Sequence, residues 1–126
     1  MTIQEVCVQM GLTQDTLRYY EKAGMIPPVK RTPGGTRDYG QEDLRWISLA
    51  KCLRGAGLPV QAIVEYVRLF RMGDKTIFER LQLLKRQKEA LLDQRRKMDD
   101  AIEKLEYKIS RYENGLIAGK VEWKKD

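Results

Sequence analysis

Histidine is absent from this chain, and cysteine occurs only twice, as Cys7 and Cys52. Without histidine the chain cannot assemble a Cys–His nucleophile pair, and imidazole ligation of a metal is closed to it. Two thiols are too few for a disulfide scaffold, so a reducing, cytoplasmic setting is the expectation. No apolar run approaches the roughly 18–20 residues that cross a bilayer, and no membrane partner is expected. Met1-Thr2-Ile3-Gln4-Glu5 carries an acid where a secretory leader would be basic. At 126 residues there is room for one small domain plus an extension. Neither an enzyme, a cofactor nor a metal centre is expected; paired acids such as Asp99-Asp100 fall on a solvated helix face.

Charge is what the chain has in excess. It carries 24 Lys and Arg against 18 Asp and Glu, a net charge of +6, which suits a polyanionic partner. The distribution says more than the total. Between residues 16 and 37, Arg18, Lys22, Lys30, Arg31 and Arg37 meet a single acid, Glu21.

Ile3, Val6, Cys7 and Met10 recur at helical spacing until Gly11. Thr13 is a suitable N-cap for a second helix from Gln14 to about Ala23, with Gly24 as its stop. Two short helices joined by a glycine-containing turn form a helix-turn-helix signature. Met25-Ile26-Pro27-Pro28 then forces an extended exit. Val29 to Tyr39 reads as a two-stranded hairpin or loop turning at Pro33-Gly34-Gly35. A helix from Glu42 to about Arg54 points Leu44, Ile47, Leu49, Ala50 and Leu53 mostly inward. Gly55-Ala56-Gly57-Leu58-Pro59 breaks it, and Pro59 fits the first turn of a further helix presenting Val60, Ile63, Val67 and Phe70.

Beyond Gly73 the pattern changes. Thr76-Ile77-Phe78-Glu79 reads as a capping box. Ile77, Leu81, Leu84, Leu91, Met98, Ile102, Leu105, Ile109, Tyr112 and Leu116, with Lys88 and Arg95, alternate by four and three. A 3.5-residue period sustained this long predicts a coiled coil. Its ~40 residues span on the order of 60 Å, too far to be buried against a small head, so the seam needs a partner helix. The simplest partner is a second copy. Lys88 and Arg95 on the seam are expected to help fix register or orientation. Gly119 or Gly115 ends the helix. The expected organisation is therefore a DNA-binding head over 1–73, a dimerisation helix over 74–118 and a short tail over 119–126.

These elements together resemble the MerR family of bacterial transcription regulators. The residues that carry the likeness are Leu17-Arg18-Tyr19-Tyr20-Glu21, Gly24-Met25-Ile26-Pro27-Pro28, Gly35-Thr36-Arg37-Asp38-Tyr39 and Asp43-Leu44. The resemblance covers residues 3 to about 118. It implies a mainly α fold: a winged helix-turn-helix followed by a long helix that forms an antiparallel dimeric coiled coil. It also implies a homodimer on a palindromic operator in double-stranded promoter DNA, activating RNA polymerase by untwisting an overlong spacer. Asp38 stands where many members have a second arginine. Lys51-Cys52-Leu53-Arg54, the Arg37-Asp38-Tyr39 segment and the Gly55-Ala56-Gly57 break look like the NmlR/AdhR subgroup, which responds to aldehydes, other electrophiles or nitrosative stress.

On that reading Gln14 and Thr16 reach base edges, Arg18 takes guanine or a phosphate, and Tyr19 donates to the DNA backbone. Lys30, Arg31 and Arg37 supply phosphate or minor-groove contacts, and Lys22 and Tyr39 complete the expected interface. Leu17 and Tyr20 are expected in the core. Cys52 is the candidate sensor, with Lys51 and Arg54 available to favour its thiolate; the alternative is a small buried apolar residue. Cys7 reads as structural. Metal-sensing members use cysteines or histidines at the start of the dimer helix and in the loop after it. Here that loop, Gly119 to Asp126, offers only Glu122 and Asp126. Two other functions stay open: a sensor of a non-covalently bound small molecule, and a sensorless DNA-architectural or adaptor protein.

Overall fold

The computed structural model describes residues 1–123; the last part of the expected tail, including Asp126, lies outside the described residues. Five α-helices account for most of it. Helix α1, Ile3–Met10, starts at Thr2, whose hydroxyl accepts from the Glu5 amide while the Glu5 carboxylate accepts from the Thr2 amide. That reciprocal cap satisfies two otherwise orphaned donors. Helix α2, Gln14–Ala23, is capped by Thr13 as expected, and Gly24 ends it at φ 85°, a left-handed conformation that costs glycine nothing. Helices α3, Gln41–Gly55, and α4, Val60–Arg71, follow. Pro59 sits just outside α4 as its N-cap rather than within its first turn.

The apolar faces of these helices meet in one core. Val6, Leu17, Met25, Ile26 and Ile47 are almost fully buried, with α1 packed on α2 and α3, and α3 on both α2 and α4. Trp46 joins them, its ring 4.8 Å edge-on to Phe70 and 5.9 Å from Tyr66. Leu49 and Phe70, expected to face inward, are exposed at their edges. Trp46 takes inward space on α3 that the aliphatic pattern had assigned to Leu49.

Between α2 and α3 the wing is leaner than a two-stranded hairpin. Arg31 and Arg37 form an isolated antiparallel bridge, and no strand is present among the described residues. The Asp38 amide donates to Lys30 O at 2.7 Å and the Thr32 amide to Thr36 O at 2.7 Å. Pro33 occupies the second position of a turn closed by Gly35 N–H to Thr32 O at 2.9 Å.

A 3-10 turn, Asp74–Thr76, leads into α5, Ile77–Ala118. The expected capping box is not formed. Thr76 is buried and its hydroxyl donates backwards, 2.5 Å from Leu69 O and 2.9 Å from Gly73 O, while accepting from Arg80 Nε. The hydroxyl thus serves the end of α4 instead of the start of α5. Met1–Lys88 forms one compact unit and a second begins at Glu89, a division inside α5. It falls there because Leu83 is buried and the first turns of α5 line a hollow with Glu65 and Leu69 of α4.

In the second unit Gly119 ends α5 and the chain doubles back on it. Arg111 Nε donates to Glu122 O. The Trp123 ring lies 5.3 Å edge-on to Tyr112 and 4.3 Å from Lys108 Nζ. Gly115 is buried beneath this hook.

Candidate nucleic-acid interface

Helix α2 buries one side and offers the other. Leu17 and Tyr20 face the core, while Arg18, Tyr19 and Lys22 are exposed and Gln14 and Thr16 half-buried. Burial holds the Tyr20 hydroxyl protonated by pushing its pKa up, against the opposing charge of Arg54. Arg18 lies along the helix surface, its guanidinium donating to Gln14 Oε1 at 3.0 Å and 3.5 Å from Asp15 Oδ1. A hollow of about 710 Å³ separates this face from the wing, lined by Asp15, Arg18, Tyr19, Glu21, Lys22, Pro28 and Arg37. Lys30 and Arg31 are exposed on the wing, with Arg31 Nη1 donating to Gly35 O at 2.9 Å. Recognition helix and wing therefore present their cations on the two rims of one concavity.

Two residues sit differently from expectation. Tyr39 is only 2% exposed and its hydroxyl has no hydrogen-bond partner among the described residues. A ring so buried cannot touch a ligand at the surface: Tyr39 is a core residue, and its inclusion in the interface is corrected. Burial accordingly raises its pKa, over smaller effects from Arg37 and other nearby groups. Arg37 lines the hollow, yet its Nε donates to Glu21 Oε1 at 2.6 Å. Glu21 Oε2 accepts the Val29 amide at 2.9 Å. Burial alone would raise the Glu21 pKa, but the Arg37 hydrogen bond, the Val29 amide and the charges of Arg37 and Arg31 outweigh it and hold the carboxyl below the usual carboxylate range. Glu21 is the functional residue that spacing missed. Its one signal was being the lone acid in a basic stretch.

Cys52 is exposed on α3, not a buried apolar residue. It lines a shallow hollow with Gln9, Gln41, Leu44, Arg45, Ser48 and Leu49. The flanking cations are engaged elsewhere: Lys51 Nζ donates to Met10 O at 2.5 Å and Arg54 Nη1 to Leu58 O at 2.7 Å. Cys7 is half-buried on α1. Among the described residues no group of three or more Cys, Asp or Glu is placed to hold a metal, and no helix is long and apolar enough to cross a membrane.

Residues 1–69 match the family described as MerR HTH family regulatory protein. The chain is similar to the HTH-type transcriptional regulator AdhR of Bacillus subtilis, 48% identical over 93 residues, which are 74% of this chain and 66% of that regulator, just under two thirds of its length. An uncharacterized HTH-type transcriptional regulator of Haemophilus influenzae is 32% identical over 95% of this chain and 89% of its own. Among solved structures, a MerR family regulator from Listeria monocytogenes superposes with a TM-score of 0.91 at 40% identity, covering 94% of this chain and 90% of that one. HiNmlR, a MerR family regulator lacking the sensor domain and solved bound to promoter DNA, gives 0.85 at 32% identity, with 94% of each chain covered. With the helix-turn-helix, the wing and the long terminal helix all present, the chain belongs to the MerR family of HTH transcriptional regulators, on the side of its NmlR/AdhR-like members.

Proposed function

We propose that this protein is a homodimeric, sequence-specific regulator that binds a palindromic operator in promoter DNA and activates transcription by deforming it. The observation that carries the reading is the exposed cationic rim of α2 and the wing, on a chain that matches a promoter-bound relative over 94% of its length. Gln14, Thr16, Arg18 and Tyr19 read or grip the major groove, while Lys22, Lys30 and Arg31 take phosphates. The α5 seam pairs with a second copy in antiparallel fashion, so two reading heads meet two half-sites. RNA polymerase is the partner that profits from the untwisted spacer, a deformation of order a few kcal/mol. Cys52 is the inducer-responsive residue, supported by the exposure of its thiol. Its geometry locates any activation of that thiol outside direct pairing with Lys51 or Arg54.

In vitro transcription from the promoter neighbouring the gene, with and without an aldehyde, tests this. Wild type is expected to activate on aldehyde addition. Arg18→Ala should lose operator binding while remaining a folded dimer, and Cys52→Ala should bind but fail to respond. Wild-type binding by Arg18→Ala would overturn the interface, and an unchanged response in Cys52→Ala the sensor.

A further inference from the structure

Two features of the hollow between α2 and the wing go together poorly if every cation there contacts DNA. The wing's Arg37 is tied to a carboxylate at 2.6 Å, and that carboxylate stands in the same concavity as Arg18 and Lys22. An ionised acid facing a phosphate backbone weakens association unless its charge is already satisfied.

Glu21 is satisfied twice over. One oxygen holds Arg37, where the wing returns to the core, and the other holds the Val29 amide, where the wing leaves it. The two legs are joined above by the Arg31–Arg37 bridge and the Asp38 to Lys30 hydrogen bond. A single side chain from the recognition helix thus closes the base of the wing on both legs. The pair is also mostly shielded from water, with 24% of the Arg37 side chain and 14% of the Glu21 side chain exposed, where a short charge-assisted hydrogen bond is worth more than at an open surface.

We propose that Glu21 is a positioning residue for DNA recognition, clamping the wing to α2 and holding the Arg37 guanidinium off the phosphates. The proposal rests on the DNA-binding reading above and refines it. Arg37 fixes the angle between helix and wing, and the phosphate charges are met by Lys30, Arg31 and Lys22. Specificity gains from the arrangement, because a wing held at one angle fits one groove geometry and a free arginine would grip any duplex.

The salt dependence of binding separates this role from a merely structural one. Each phosphate neutralised by the protein contributes about −0.9 to the slope of log K against log salt concentration. Binding of the full-length protein is measured on a duplex carrying its own promoter and on a random-sequence duplex. Arg37→Gln should weaken promoter binding, through loss of the wing's anchor, and leave the slope as in wild type. Glu21→Gln should steepen the slope by about 0.9 and narrow the ratio between promoter and random duplex. Adding Arg37→Gln to Glu21→Gln should remove the extra slope. A slope shallower by about 0.9 in Arg37→Gln alone would overturn the proposal, and this variant decides the matter even if Glu21→Gln does not fold. An unchanged slope in a folded Glu21→Gln would overturn it as well. A wild-type protein that binds neither duplex would overturn the DNA-binding reading itself, a result distinct from both.

Discussion

Tyr39 shows how one hydroxyl changes the meaning of a motif residue. Its ring fills the core beneath the wing, its amide donates to Met1 O at 2.9 Å, and its hydroxyl is dry and without a protein partner. A buried hydroxyl left unsatisfied costs about 1–3 kcal/mol. Tyr39→Phe is therefore expected to leave stability unchanged or to raise it by up to ~1 kcal/mol in urea titration, with promoter affinity as in wild type. A loss of stability, or of binding, would show the hydroxyl in use. The sequence marked Tyr39 by its place beside Arg37, and that proximity is real; what a linear motif cannot encode is that neighbours in an extended segment point to opposite sides. The same alternation explains the success with Leu17 and Tyr20 on α2, where helical spacing does specify the buried face.

Helices were legible because their signals are local. Thr13 and Gly24 bound α2 at the residues expected, and a glycine also ends α1 and α5. The features that escaped were settled by contacts far along the chain. Thr76 turned its hydroxyl back to Leu69, and the wing closed with one bridge because Glu21 holds its base in place of a longer ladder. The hook after α5 belongs with these. A Cβ on Gly115 would come within 2.9 Å of Val121 Cγ2 and 3.0 Å of Lys120 O. Alanine in a helix interior is otherwise favoured over glycine by about 1 kcal/mol. Gly115→Ala should then strengthen α5 and dislodge the hook together. In a Trp46→Phe background, which leaves Trp123 as the one reporter, its emission should shift to the red. Unshifted emission would show that Gly115 is not the hook's seat.

At the scale of the whole molecule, the apolar residues of α5 set the terms. Met98, Ile102, Leu105, Ile109, Tyr112 and Leu116 are exposed in the single chain, as a seam awaiting its partner must be. An aspartate placed there enters the interface from both copies, and a buried uncompensated charge costs roughly 3–5 kcal/mol. Ile102→Asp should weaken dimerisation at least a hundredfold by sedimentation equilibrium and abolish tight promoter binding while leaving the helical content of the head intact. A wild-type protein that sediments as a monomer at micromolar concentration would contradict the assembly outright. The position of Cys52 carries a consequence on this same scale. Its neighbour Lys51 fastens α3 to the end of α1, and Arg54 fastens it to the elbow before α4. Any group bonded to that sulfur must find room between Gln9 on one helix and Arg45 and Ser48 on another, so bulk added at a single surface atom becomes a wedge between parts that two staples hold together.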